Sequence, residues 1–132
     1  MATIEDVSRL AAALPDVVEG TRTGHATGLH WAVGTKTFAW ERAFSKADLR
    51  RFGDEPVPGG PILAVVVEDL GEKQSVLEDG MPGFFTIPHF DGYAAVLVQL
   101  DAVRETDLEE ALLEAWATVA PPDVARAFLG GG

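Results

Sequence analysis

Apolar positions along the chain change period several times, and each change marks an element. Ile4, Val7, Leu10, Ala11 and Leu14 recur at three- and four-residue intervals behind Thr3, a good N-cap, and Pro15 closes the run. This predicts an amphipathic helix over residues 4–14. Residues 17–21 then read as a short strand. Leu29, Trp31 and Val33 alternate with His30 and Ala32, Gly34-Thr35 fits a two-residue turn, and Phe38 and Trp40 alternate with Thr37 and Ala39. The expectation is a hairpin with Leu29, Trp31, Val33, Phe38 and Trp40 on one face, an area too apolar to face water.

The second half follows the same logic. Ser45 is placed to cap a short helical turn ending near Phe52, and residues 53–61, with three prolines and three glycines, form a loop. ILAVVV, residues 62–67, and YAAVLVQL, residues 93–100, are apolar on both faces and read as central strands. Between them residues 68–79 predict a helix with Leu70, Val76 and Leu77 inward and Gly80 as its stop. Thr106-Asp107-Leu108-Glu109 has the pattern of a capping box, ahead of a stripe of Leu108, Ala111, Leu112, Ala115, Trp116 and Val119. Pro121-Pro122 ends that helix and seeds a short last one with Val124, Ala127 and Phe128 inward. Runs of strands with helices gathered to one side predict an α+β two-layer domain, an antiparallel sheet with helices packed on one face. A single domain over residues 1–132 is expected, without the βαβ alternation of a Rossmann-like sheet. The other sheet face, with His30, Thr37 and Gln99, is the expected docking surface.

Composition narrows the chemistry. The 132 residues contain no cysteine, which excludes disulfides, thiolate nucleophiles and Cys-ligated metals. No apolar run approaches the roughly 20 residues of a membrane span, and the N-terminus lacks the pattern of a secretion signal, so a cytoplasmic protein without a membrane partner is expected, as a monomer. A net charge of −11 opposes a polyanionic partner unless the ten basic side chains cluster. Arg42, Lys46, Arg50 and Arg51 do fall within ten residues, and Lys36 sits beside the hairpin turn. They are the candidate phosphate contacts; Glu41, Asp48, Asp54 and Glu55 interleave with them, which equally describes a solvated mixed-charge surface.

No HExxH helix, Gly-x-Ser-x-Gly elbow, dinucleotide fingerprint or Walker loop occurs, so no catalytic residue and no cofactor is assigned. Of His25, His30 and His89, the last stands among Phe84, Phe85, Phe90 and Tyr93. It is either a ligand-binding group in a pocket with Trp40, Phe85 and Tyr93, or a side chain that fixes a rigid Pro88 turn. Acidic residues at 105, 107, 109, 110 and 114 suit the start of a helix, where its dipole favours negative charge.

IEDVSRLAAALPDVVEGT, HWAVGTKTFAW, GFFTIPHFDGYAAVLVQLDAV and LEEALLEAWATVAPP together resemble the MmcQ/YjbR family over nearly the whole chain. The most specific stretch is Phe84-Phe85-Thr86-Ile87-Pro88-His89-Phe90 followed by Gly92. The resemblance implies a CyaY-like fold, similar to bacterial frataxin, and a DNA-binding role through a double-wing arrangement. Iron binding on the frataxin analogy would need a dense acidic ridge at the first helix and strand. Glu5, Asp6, Asp16 and Glu19, with Arg9 and Arg22 among them, do not make one, and no metal is predicted. The alternative to DNA is an unknown protein or small molecule bound near His89.

Overall fold

Thr3 starts the first helix as its sequence predicts: its hydroxyl accepts from the Asp6 N–H while the Asp6 carboxylate accepts from the Thr3 N–H. The computed structural model describes residues 2–22 and 28–130. Along them run α1 (Ile4–Ala12), β1 (Val17–Arg22), β2 (Gly28–Val33), β3 (Lys36–Glu41), α2 (Lys46–Phe52), β4 (Ile62–Val66) and α3 (Leu70–Glu78). Then come β5 (Phe84–Phe85), a 3₁₀ turn at Pro88–Phe90, β6 (Ala95–Gln99), α4 (Glu105–Val119) and α5 (Pro122–Leu129). The six strands form one sheet in the order β1-β2-β3-β4-β6-β5, every neighbouring pair antiparallel. The fold is α+β, with α1 and α4 packed against the sheet. No helix among the described residues is long and apolar enough to cross a membrane.

The main core lies between the sheet and these two helices. Trp31, Phe38, Leu63, Val65, Val96 and Val98 meet Val7, Leu108, Leu112 and Trp116 there. Both indoles of this core find acceptors: Trp116 Nε1 donates to the Pro15 carbonyl at 2.9 Å and Trp31 Nε1 to Glu19 Oε1 at 2.8 Å. Without those partners each buried N–H would cost about 1–3 kcal/mol.

The predicted hairpin face needs correction. Trp31 pairs with Ala39 but Ala32 pairs with Thr37, so Phe38 is an extra residue in β3. This β-bulge keeps both Phe38 and Ala39 in the main core and resets the alternation. Trp40, partnered with His30, therefore points through the opposite face from Trp31.

That opposite face is not bare along its whole width. Trp40, Ile62, Ala64, Ala95 and Leu97 form a second, smaller core with Ile87 and Phe90 from the 3₁₀ segment, and with Phe44, Phe52 and Phe85. His30 and Gln99 belong to the same face and are half-buried, as is Thr37. The Gln99 amide donates to the Gly59 carbonyl at 3.1 Å, which ties the Pro/Gly-rich loop to the sheet.

Four smaller expectations change as well, the first being that Leu70 of α3, expected inward, is exposed. The capping box at Thr106 does not form: Arg104 occupies the N-cap of α4, without a side-chain cap, and its Nε donates to Asp107 at 2.9 Å. In α5 the buried residue is Ala125, whereas Ala127 is exposed. Phe128 is largely exposed but sets its ring edge-on to Trp116, 5.3 Å between centroids.

Candidate functional site

The basic cluster divides into a member held in the structure and members exposed on α2. Ser45 caps α2, accepting from the Asp48 N–H, and its own N–H donates to Asp48 Oδ2 at 2.9 Å. The Arg42 guanidinium donates to the same oxygen at 2.9 Å and to the Ala43 carbonyl, and lies 5.6 Å from the Phe90 ring centroid. Burial alone would raise the Asp48 pKa, but the Ser45 N–H, Arg42 and the Ser45 hydroxyl outweigh it and hold the carboxyl below its usual range. Arg42 is thus engaged by a buried carboxylate. Lys46, Arg50 and Arg51 are exposed on α2, with Arg51 at 3.9 Å from Asp48. Lys36, also exposed, stands at the far end of β3, roughly 20 Å along the strand from Arg42. The five bases do not form one stripe.

The aromatic group predicted around His89 is real but filled. The Trp40 and Tyr93 rings are 6.3 Å apart, Phe90 stacks on Trp40 at 6.4 Å, and Phe85 belongs to the same cluster. His89 is exposed on the 3₁₀ turn with its ring 6.1 Å from Phe90. Lys73 of α3 holds this turn from beneath: its ammonium is buried and donates to the Phe90 carbonyl at 2.5 Å and the Tyr93 carbonyl at 2.8 Å. Burial lowers the Lys73 pKa, partly opposed by Asp91. A shallow hollow of about 520 Å³ beside Lys73 is walled by Leu70, Leu77, Thr86, Asp91 and Gly92, and takes none of Trp40, Phe85, His89 or Tyr93 into its lining.

A deeper cleft opens on the helix-covered side of the sheet, between α3 and α4. Its volume is about 770 Å³, within the range of small-molecule sites. Val65, Val67, Phe84 and Val96 contribute its floor, with Val76 and Ala111 on the flanking helices. Glu68, Glu72 and Asp79 stand on one side, and Asp107, Glu110 and Glu114 on the other. Asp107 is paired with Arg104, but no ion pair reaches the other five carboxylates among the described residues. Desolvation pushes the Glu114 pKa up, and the charges of Glu110 and of Glu72 push it further. Glu72 and Glu114 therefore sense each other across the cleft.

Sequence reasoning missed this site because its two acidic walls are separated by about thirty residues and each looks like an ordinary solvated helix face. The available signal was the i, i+4 pair Glu110 and Glu114 flanking Ala111, with small or short side chains again at Ala117 and Thr118. His25 lies outside the described residues. Among the described residues no group of three or more His, Asp or Glu is placed to hold a metal ion.

No family model matches the chain. It is, however, 45% identical over 132 residues to uncharacterized protein Rv2570 of Mycobacterium tuberculosis (strain ATCC 25618 / H37Rv). Uncharacterized protein Mb2600 of Mycobacterium bovis (strain ATCC BAA-935 / AF2122/97) is likewise 45% identical over 132 residues. Each alignment covers 98% of this chain and 97% of the relative. At that identity over full length, the chain belongs to one protein family with these mycobacterial proteins.

Proposed function

We propose that the protein is a binding module whose ligand is positively charged and lies in the cleft between α3 and α4. The observation that carries this reading is the combination of an apolar floor with five carboxylates that have no cationic partner among the described residues. Like charges held on facing walls of one cleft repel each other, and a cation entering it relieves that repulsion. On the motif from Phe84 to Phe90 we also read the chain as MmcQ/YjbR-like with a CyaY-like fold, cytoplasmic and monomeric.

The second reading, DNA binding, rests on that resemblance and on Lys46, Arg50 and Arg51, exposed together on α2. Three cations on a seven-residue helix give a small electrostatic footprint against a net charge of −11. One experiment separates the two. Isotope-labelled protein is titrated, with amide shifts followed by NMR, against hexylamine, hexanoate and a DNA duplex at about 50 mM salt. The expected result is that hexylamine alone shifts amides of residues 65–68, 72–79 and 107–118. Saturable shifts at residues 46–51 with duplex, or no hexylamine shifts in the cleft segments, overturn the proposal.

A further inference from the structure

We infer that the cleft ligand is a linear aliphatic polyamine, a flexible methylene chain carrying several ammonium groups; this rests on the cleft reading above. The floor is aliphatic and aromatic carbon from Val65, Val67, Phe84 and Val96, which suits methylenes and offers nothing to a polar ring substituent. The carboxylates do not converge on one point, as a metal ion would require; they are strung along α4 on one wall and from the end of β4 to the end of α3 on the other. Separate cations at intervals along one molecule are the matching pattern.

The spacing fits that chemistry. Glu110 and Glu114 are one turn apart on α4, about 6 Å along the axis, and Glu72 and Asp79 are about 10 Å apart along the line of α3. An extended chain advances about 1.2 Å per atom, so a four-carbon spacer between two nitrogens covers about 6 Å and a triamine with three- and four-carbon spacers about 11 Å. Such a molecule can place ammonium groups against both acids of α4 while its length follows the α3 wall. Glu68 lies at the strand end of the same cleft and Asp107, engaged by Arg104, adds little. Glu114 is where a cation relieves most repulsion, since it faces the charges of both Glu110 and Glu72. A cleft of about 770 Å³ has room for one such chain.

The test is isothermal titration with spermidine, 1,4-diaminobutane, hexylamine and magnesium chloride at physiological salt, with the NMR shifts mapped for each. The expected result is one spermidine per chain, bound about tenfold more tightly than hexylamine, with shifts confined to the cleft segments. The double variant E110Q/E114Q should weaken spermidine about tenfold, and Glu41→Gln, outside the cleft, should leave it unchanged. These substitutions remove like charges, so their thermal melts should stay at or above that of the parent protein. Hexylamine in the cleft with spermidine no tighter overturns the polyamine while leaving the cleft reading intact. Several spermidines spread over the acidic surface, displaced equally by magnesium, also overturn it. Absence of any amine from the cleft sinks both.

Discussion

Arg42 and Asp48 form an ion pair at 2.9 Å in which the carboxylate side chain is 1% exposed and the guanidinium 16%. The pair joins the end of β3 to α2, and Phe90 lies against the guanidinium, so one contact fixes strand, helix and 3₁₀ turn. Removing Arg42 leaves the buried carboxylate without its close cation, held by the Ser45 N–H and by Arg51 at 3.9 Å. Arg42→Ala should therefore cost about 3 kcal/mol of stability, whereas Arg50→Ala and Arg51→Ala should each stay within about 0.5 kcal/mol. Urea denaturation of the three variants checks this.

The same pair sets an acid limit. Asp48 has a lower pKa folded than unfolded, so its contribution is complete above the ordinary carboxylate range and is lost as pH falls through the folded value. Asp48→Asn lacks that term. The stability gap between the two proteins should be constant near neutral pH and shrink on acidification. Thermal melts across the acidic range measure it.

Glu114 works with the opposite sign. Its pKa is raised in the fold, so the stabilisation that accompanies its protonation is present at low pH and disappears as pH rises through the raised value. Glu114→Gln should make the protein more stable at neutral pH, by about 0.5 kcal/mol after allowance for solvent screening. The gain should vanish in acid, and melting curves at two pH values decide it.

Lys73 holds two carbonyls that have other donors, since the Tyr93 N–H also reaches Phe90 O and the Ala95 N–H reaches Tyr93 O. Lys73→Met therefore does not orphan them. We expect a loss of about 1–2 kcal/mol, with increased solvent access to Tyr93 seen by fluorescence quenching. A loss beyond about 4 kcal/mol would show the ammonium to be the turn's main support.

At the bulge, Phe38→Ala empties a fully buried ring site in the main core and should cost about 4 kcal/mol by chemical denaturation.

Much of this architecture is written plainly in the chain. Thr3 and Ser45 cap the helices they are expected to start, and the largely apolar runs at residues 62–67 and 93–100 contain the paired central strands β4 and β6. Strict alternation failed at Phe38, because a bulge adds one residue without changing composition, and Trp40 went to the wrong face with it. The second core escaped notice for a related reason: Phe44, Phe52, Ile87 and Phe90 sit in loops or a short helix, without a period to reveal their shared direction. Of the candidate site residues, the Arg42 role depended on a buried Asp48 that reads as a surface acid. The cleft depended on two distant helices being brought to face each other, which no local pattern encodes.

The sheet is unevenly clad. β4 and β6 have packing against both surfaces, while β1 is an edge strand whose Val18 is 58% exposed. Opening events should accordingly begin at the β1 margin and reach β4–β6 only when the whole molecule unfolds. In deuterated water the Leu63–Val65 and Val96–Val98 backbone protons would then persist longest. The acid-lined cleft takes Val65 and Val96 of those same two strands into its floor, so part of what its occupant would rest on is the last to come apart.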